Sequence, residues 1–533
     1  MQNNKNTGSY YTPSILSEFL VKHIKNNYNL QNIRILEPSC GDGSFINALL
    51  KNIPSNDDNI SIDLCDINES ELDKCCEILK SSNIFKTTKF QGDYLIQKLK
   101  TYSLIIGNPP YIAKKFLSKE QIAKCKEILH QSIEVTGEVK NIWPAFLIKS
   151  TTELEESGVL CFVLPSELLQ VKHTKAIRDY LLKNYSRIEI FAFEELIFQG
   201  AEQDVVVFLG RKQTGTINCD VSFYQVEKLE DLKIPDYIEK HTNLNRKKLE
   251  KWTNYILTED ELNFVEGLIE RLKLNKINYY CEKAEVGIVT AANDYFIRSK
   301  KDILDLNLQT VGKTIIKKSS YLKNAIIIDD DELNKIDLEN KPSQILLFEN
   351  KVVKKQTKSI QNYILGGEKQ GLNERYKMKL RENWYVVPVT WPSEGLFVKR
   401  CHIHPKLLYN PSNALVTDSF YRVVTKSDYS IKNLTFSFYN TLTFVISELE
   451  GRFYGGGVLE LTPSEFKNLY VPYIENSEDK LVKLNFLFKN KSDISDILDY
   501  TDSIILKGLS KKEIKKLRFI WYKLTKRRLK AKI

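Results

Sequence analysis

Ser103-Leu104-Ile105-Ile106-Gly107-Asn108-Pro109-Pro110-Tyr111 is the stretch on which the reading of the whole chain turns. Its apolar start predicts a short strand, which stops abruptly in Asn-Pro-Pro-Tyr. Two consecutive prolines neither continue a ladder nor start an ordinary helix, so the chain must turn there. The prolines also hold Asn108 extended. The result is a stiff loop at a strand's carboxyl end, where ligands sit in open α/β sheets. The Asn108 side-chain oxygen and the Pro109 carbonyl are both acceptors. Aimed at one exocyclic amine, they would take both its hydrogens and draw its lone pair out of conjugation with a ring. Tyr111 offers a flat face for an extruded base. The plain alternative is a Pro-Pro turn that ends a strand and does nothing else.

Working outward from that loop, Ile33-Arg34-Ile35-Leu36 reads as a buried strand. It runs into Glu37-Pro38-Ser39-Cys40-Gly41-Asp42-Gly43-Ser44-Phe45, and Ile46, Ala48, Leu49 and Leu50 continue as a helix. Strand, glycine turn and helix make the first unit of a doubly wound fold. The third glycine of the dinucleotide fingerprint is missing. Ile60 to Asp66 is a second strand ending in an acid, which suits the two hydroxyls of a ribose or is simply solvated. Phe90-Gln91-Gly92-Asp93-Tyr94 marks a third strand end, with Asp93 placed to accept from an adenine amine and Tyr94 to stack on its ring. Thr12-Pro13 reads as an N-cap with proline at the first helical position. That helix start either holds a ligand carboxylate or is merely capped.

Tyr11-Thr12-Pro13, Glu37 to Gly43, Asp66, Asp93-Tyr94 and Asn108 to Tyr111, in that order, resemble the gamma-class N6-adenine DNA methyltransferases of bacterial restriction–modification systems. The segment matching that family's last-numbered motif precedes the glycine loop, which is informative. The resemblance implies an α/β fold: a seven-stranded, mostly parallel doubly wound sheet of the class I methyltransferase kind, binding S-adenosyl-L-methionine. It implies Tyr11 and Thr12 by the methionine end, Gly41 and Gly43 close to the cofactor, and Glu37 and Pro38 lining the same pocket. Asp66 takes the ribose, and Asp93 with Tyr94 reads the cofactor adenine. Asn108, Pro109, Pro110 and Tyr111 are the implied catalytic loop, with Asn108 also at the cofactor. Phe198 matches the family's target-base aromatic, facing Tyr111 across a flipped adenine; the bland reading is a core phenylalanine. Double-stranded DNA is the expected partner, beside a separately encoded restriction endonuclease, with the chain acting as a monomer. Rival readings are an Asn-Pro-Pro-Tyr methyltransferase acting on a glutamine amide or RNA, and a silent DNA-binding specificity subunit.

The sequence then divides into a catalytic domain 1–215, a helical linker 216–280, a mixed α+β target-recognition domain 281–480 and a basic helical tail 481–533. Candidate DNA contacts in the second half are Lys317, Lys318, Arg375, Lys399, Arg400, Arg422 and Arg452. Gly455-Gly456-Gly457 implies close backbone approach, either to DNA or to another loop. In the tail, Ile514, Leu517, Ile520, Trp521 and Leu524 recur at helical spacing beneath a basic face, which lies along DNA or docks as a helix. The chain has 533 residues and a net charge of +10, a bias that suits a polyanionic partner. Nine cysteines without a CxxC pair give no zinc ribbon and fit a reducing cytoplasm. His402 and His404 supply too few ligands for a metal, and no apolar run is long enough to span a membrane.

Overall fold

A computed structural model describes the chain from Tyr11 to Leu529 apart from residues 29–32, 54–59, 81–85, 98–99, 134–138, 171–173, 196, 199–203, 214, 216–218, 235–236, 238–241, 245–251, 253–256, 352, 389–390, 455–456 and 476. It divides into two compact units. The first holds residues up to 262 together with 454–456 and 530–533; the second holds 263–453 and 457–529.

The first unit is built on one nine-stranded sheet. Its elements are α1 (Ser14–Asn27), β1 (Arg34–Glu37), α2 (Ser44–Asn52), β2 (Ser61–Asp66), α3 (Glu69–Lys80), β3 (Lys86–Gln91), β4 (Tyr102–Gly107), α4 (Lys119–Ser132), α5 (Trp143–Glu153), β5 (Leu154–Pro165), α6 (Lys175–Asn184), β6 (Tyr185–Phe193), β7 (Val205–Lys212), β8 (Asp220–Val226) and β9 (Thr242–Leu244). The strand order is β3-β2-β1-β4-β5-β7-β6-β8-β9. β1 pairs in parallel with β2 on one side and β4 on the other, so the winding reverses between β1 and β4. That reversal opens a crevice at the strands' carboxyl ends, just past Glu37 and Gly107. β4 and β5 are near-continuous apolar runs because helices cover both faces of a parallel sheet. β7 inserts antiparallel between β5 and β6.

The seven expected strands are all present, and two more extend the far edge. This corrects the boundary at 215 and the helical linker. β8 pairs with β6 from Arg187↔Asp220 through Phe193↔Val226, and β9 follows it. Ser222, Tyr224 and Val226 are buried at alternate positions, with Phe223 buried between them, a pattern that reads as a solvated connection until β6 supplies its partner. The helix expected near 262–272 is Glu259–Arg271.

Among its described residues the second unit contains two four-stranded sheets, one of three strands and one of two, with helices around them. An aromatic core joins Phe296, Phe348, Trp384 and Tyr385. The basic tail is not a separate segment. Its helix, Lys511–Leu529, buries Leu517, Ile520 and Leu524 and packs on the helix Thr441–Glu450. Arg528 is 2% exposed; its Nη2 meets Glu448 at 2.7 Å, and its guanidinium also donates to the carbonyls of His402 and Gly457. Gly457 has φ +78°, and an added Cβ there would lie 3.2 Å from the Arg528 carbonyl. Of the two readings of the glycine run, close approach to the chain itself is therefore what Gly457 makes; Gly455 and Gly456 lie outside the described residues.

One expected DNA contact, Arg422, has a structural duty instead, and four others sit in ion pairs. Arg422 is 2% exposed, stacks at 3.8 Å on Trp391 and donates to the Val286 carbonyl at 3.0 Å. Lys399 and Arg400 share Glu460, Arg452 pairs with Glu465, and Lys317 with Asp294.

Candidate functional site

A cavity of about 520 Å³ opens at the carboxyl ends of β1, β2 and β4. All its lining residues fall between Tyr11 and Phe146. Of the residues singled out from sequence, Tyr11, Thr12, Glu37, Pro38, Gly41, Asp66, Asp93, Tyr94, Asn108 and Pro110 line it. Gly43, Pro109, Tyr111 and Phe198 do not.

Thr12 departs from its expected role. α1 begins at Ser14 with Pro13 as its N-cap, and no side chain caps it. The Thr12 hydroxyl is instead buried on the cavity wall with no hydrogen-bond partner. Glu37, at the end of β1, is 1% exposed, and its Oε2 likewise has none. Burial pushes the Glu37 carboxyl well above the ordinary carboxylate range, and Cys75, Asp42 and Asp66 push it the same way. Buried polar atoms normally find partners, so two orphaned oxygens on one wall mark a place for a ligand's donors.

The glycine loop follows β1. Gly41 (φ +48°) and Gly43 (φ +78°) are both left-handed, a conformation that strains any side chain. Gly43 meets Cys75 and Ile78 rather than the cavity, so its service is the turn into α2. Asp66, at the end of β2, is pinned to this loop: its Oδ2 accepts from the Gly41 N–H at 3.0 Å and its Oδ1 from the Asn68 N–H at 2.8 Å. Asp93 accepts from the Leu95 N–H at 2.9 Å and the Gln121 amide at 3.0 Å. Tyr94 is 2% exposed; its hydroxyl donates to Glu153 at 2.6 Å, and its ring lies 5.1 Å from Phe146.

The Asn108 loop is tied down from two sides. Its backbone carbonyl accepts from the Ser39 hydroxyl at 3.1 Å, which links it to the glycine loop. The Tyr111 hydroxyl lies 2.8 Å from Asn108 Oδ1 and 2.9 Å from the Val163 carbonyl of β5. Tyr111 is only 6% exposed, so the flat open face expected of it is turned into packing. Phe198 is also 6% exposed, and the residues after it lie outside the described chain.

Ile112, Gln121, Ile142 and Phe146 line the cavity and were not foreseen. They arrive because the Ile142 N–H bonds the Ile112 carbonyl at 3.1 Å, bringing the start of α5 beside the Asn108 loop. The one sequence signal was the Asn141-Ile142-Trp143-Pro144 helix start.

Glu37, Asp42, Asp66, Glu71 and Asp93 line the wall, and among the described residues no lysine or arginine does. Five acids in a partly enclosed crevice favour a cation. S-adenosylmethionine carries a sulfonium and an ammonium, and its ribose hydroxyls are donors for carboxylates. The acidic wall, the orphaned oxygens and the strained glycine loop fit it.

Residues 20–198 match the family model described as Eco57I restriction-modification methylase, and residues 249–506 match that of the Type II methyltransferase M.Eco57I C-terminal domain. The chain is 24% identical to the Type II methyltransferase M.AccI of Acinetobacter calcoaceticus, across 96% of this chain and 95% of that protein. It is 23% identical to M.BanIII of Aneurinibacillus aneurinilyticus, across 80% and 82%. The fold resembles that of the Type IIL restriction-modification enzyme MmeI, solved in complex with DNA, with a TM-score of 0.56 and 12% identity over 98% of this chain and 79% of that one. It also resembles DrdV, in a structure titled a DrdV–DNA complex, with a TM-score of 0.52 and 12% identity over 91% and 58%. Two methylase models matched over separate parts of the chain, and relatives aligned across most of it, agree with the acid-lined crevice: the protein is a DNA methyltransferase of a restriction–modification system with S-adenosylmethionine as its methyl donor.

Proposed function

We propose that the methyl group goes to N6 of an adenine extruded from duplex DNA. The observation that carries this reading is that Asn108 and Pro110 line the same cavity as the orphaned Thr12 and Glu37 oxygens. An amine acceptor and a cofactor wall on one crevice is what direct transfer needs. Thr12, Glu37, Gly41 and Asp66 would hold the cofactor, with Tyr11 over the glycine loop and Asp93, Tyr94 and Pro38 completing the wall. When bound, the cofactor supplies an electrophilic methyl on a positive sulfur. Asn108 Oδ1 and the Pro109 carbonyl accept the two amine hydrogens and return the nitrogen lone pair to the nitrogen. The Ser39 hydroxyl holds that loop in place, and the Tyr111 hydroxyl releases Asn108 Oδ1 when the amine takes it. The Tyr111 and Phe198 rings then clamp the extruded base, which requires both to turn from their packed positions.

The test is nucleoside analysis of duplex DNA after reaction with labelled cofactor. N6-methyl-2′-deoxyadenosine is expected; methylated deoxycytidine alone would overturn the reading, since cytosine N4 is an exocyclic amine too. The protein acts as a monomer beside a separately encoded endonuclease in this reading. Mass photometry of the purified chain on a DNA duplex checks the stoichiometry.

A further inference from the structure

We infer that Arg298 reads a base of the recognition sequence, with the helix Lys358–Lys369 presenting its small and amide side chains to the DNA beside it. The inference rests on the proposed DNA reading and concerns the second unit alone. Two adjoining cavities of about 400 and 330 Å³ share Tyr295, Arg298 and Gln370 on their walls. One face along the helix and its end lines the larger cavity: Ser359, Asn362, Gly366 and Gln370. Their spacing of three, four and four residues keeps them on one side of the helix. A face merely turned to solvent would be charged; this one carries no charge and is made of hydroxyl, amide and bare backbone.

Arg298 is held from behind. Its Nε donates to the Tyr363 hydroxyl at 2.9 Å. That hydroxyl donates to the Tyr295 carbonyl at 2.7 Å, and the Tyr295 hydroxyl returns a bond to the Tyr363 carbonyl at 3.0 Å. The reciprocal pair, with rings 4.7 Å apart, fixes the arginine stem. Among the described residues, its two terminal nitrogens have no hydrogen-bond partner. A rigid guanidinium offering two parallel donors is the complement of guanine O6 and N7. Asn293 on the smaller cavity is pre-set in the same manner, its Oδ1 taking the Thr290 hydroxyl. Asp305 on the larger one is an acceptor suited to cytosine N4.

Two neighbouring glycines sharpen the point. A Cβ at Gly367 would lie 2.4 Å from Trp384 and 2.9 Å from Tyr295, so packing demands glycine there. A Cβ at Gly366 would meet nothing within 4 Å. Glycine weakens a helix interior and no neighbour in the chain requires it at 366. In the inferred complex the bare backbone at Gly366 lets the DNA come close to the helix.

Three variants test this against the wild-type enzyme, scored by sequencing methylated sites in genomic DNA and by duplex binding at several salt concentrations. Arg298→Ala should lower kcat/KM on the cognate site about 10- to 100-fold and make one G position degenerate, with the salt slope kept. Tyr363→Phe keeps the packing and should relax the same position by a smaller factor. Gly366→Ala should raise Tm by about 2 °C yet weaken DNA binding at least tenfold. A uniform loss on all sequences with a salt slope reduced by about one would make Arg298 a phosphate contact and overturn the assignment. So would an unchanged site preference, or a Gly366→Ala enzyme that is stabilised and binds as before. Failure of the N6-adenine reading is separable, because site preference is scored on whichever base the wild type methylates.

Discussion

Thr12 lines the crevice, as the family resemblance implies, but it does not cap α1. A threonine before proline looks like a cap, yet the hydroxyl is buried and unbonded on the cavity wall. Thr12→Val should therefore stabilise the cofactor-free protein by about 1 kcal/mol, because a buried unsatisfied group is removed. It should also weaken cofactor binding about tenfold; calorimetry that finds affinity and stability moving together would refute this. Asn108→Ala should cut methyl transfer more than tenfold while cofactor affinity holds, and transfer above a tenth of wild type would remove Asn108 from the chemistry. His404 shows a pH effect far from the site. It is 8% exposed, stacks 5.3 Å from Phe444, and burial lowers its pKa to about 4. Its Nδ1 proton goes to the Pro405 carbonyl at 3.0 Å, since a carbonyl only accepts. The folded pKa lies below the unfolded value of about 6.5. Stability from neutral His404 is thus fully present above pH 6.5 and lost as pH falls toward 4, by up to about 3 kcal/mol. Denaturant titrations of His404→Phe at pH 7 and 4.5 should show that acid loss shrinking; an identical loss in both proteins would reassign it.

At the scale of elements, what could be read in advance follows from burial. β1, β2, β4 and β5 are apolar runs that stop at an acid, a glycine or a proline, and these were legible with their terminal residues. Glu37, Asp66, Asp93 and Asn108 were legible for the same reason, each sitting at or just past a strand end on the crevice. β8 was not, because its alternation has meaning only beside β6. Gln121 and Phe146 were not, because nothing local says that α4 and α5 reach back to the crevice. Tyr111 was seen but given the wrong surroundings, an open face; Thr12 was placed in the right pocket but wrongly made a cap, and of the two readings of the tail the docked helix is the one observed. The tail makes the strongest prediction at this scale. Arg528→Met leaves Glu448 buried without its cation and should cost about 3–5 kcal/mol in chemical denaturation. Truncation after Ser510 should then abolish folding of the second unit rather than change the salt dependence of DNA binding. A soluble, cooperatively melting truncated protein would show the helix to be dispensable.

For the whole molecule, chemistry and the inferred base reading belong to different units of comparable size. Cofactor at 100 times its dissociation constant should stabilise the unit that binds it by about 2.7 kcal/mol. Hydrogen exchange with and without cofactor should show new protection at residues 37–44, 66–71 and 108–112. Protection confined to the second unit would contradict the crevice as the cofactor site. Among the described residues no helix is long and apolar enough to cross a membrane.

β7 carries a further consequence, for biosynthesis. It is made after β6 yet lies between β5 and β6. Until Lys212 has left the ribosome, the apolar flank of β5 has no neighbour and β6 has nowhere to dock. A nascent or prematurely terminated chain ending near residue 200 would expose two adhesive borders at once, the situation in which strands pair with other molecules. Early stop codons should accordingly yield insoluble material, even though every residue of the methyl-donor crevice has already been synthesised.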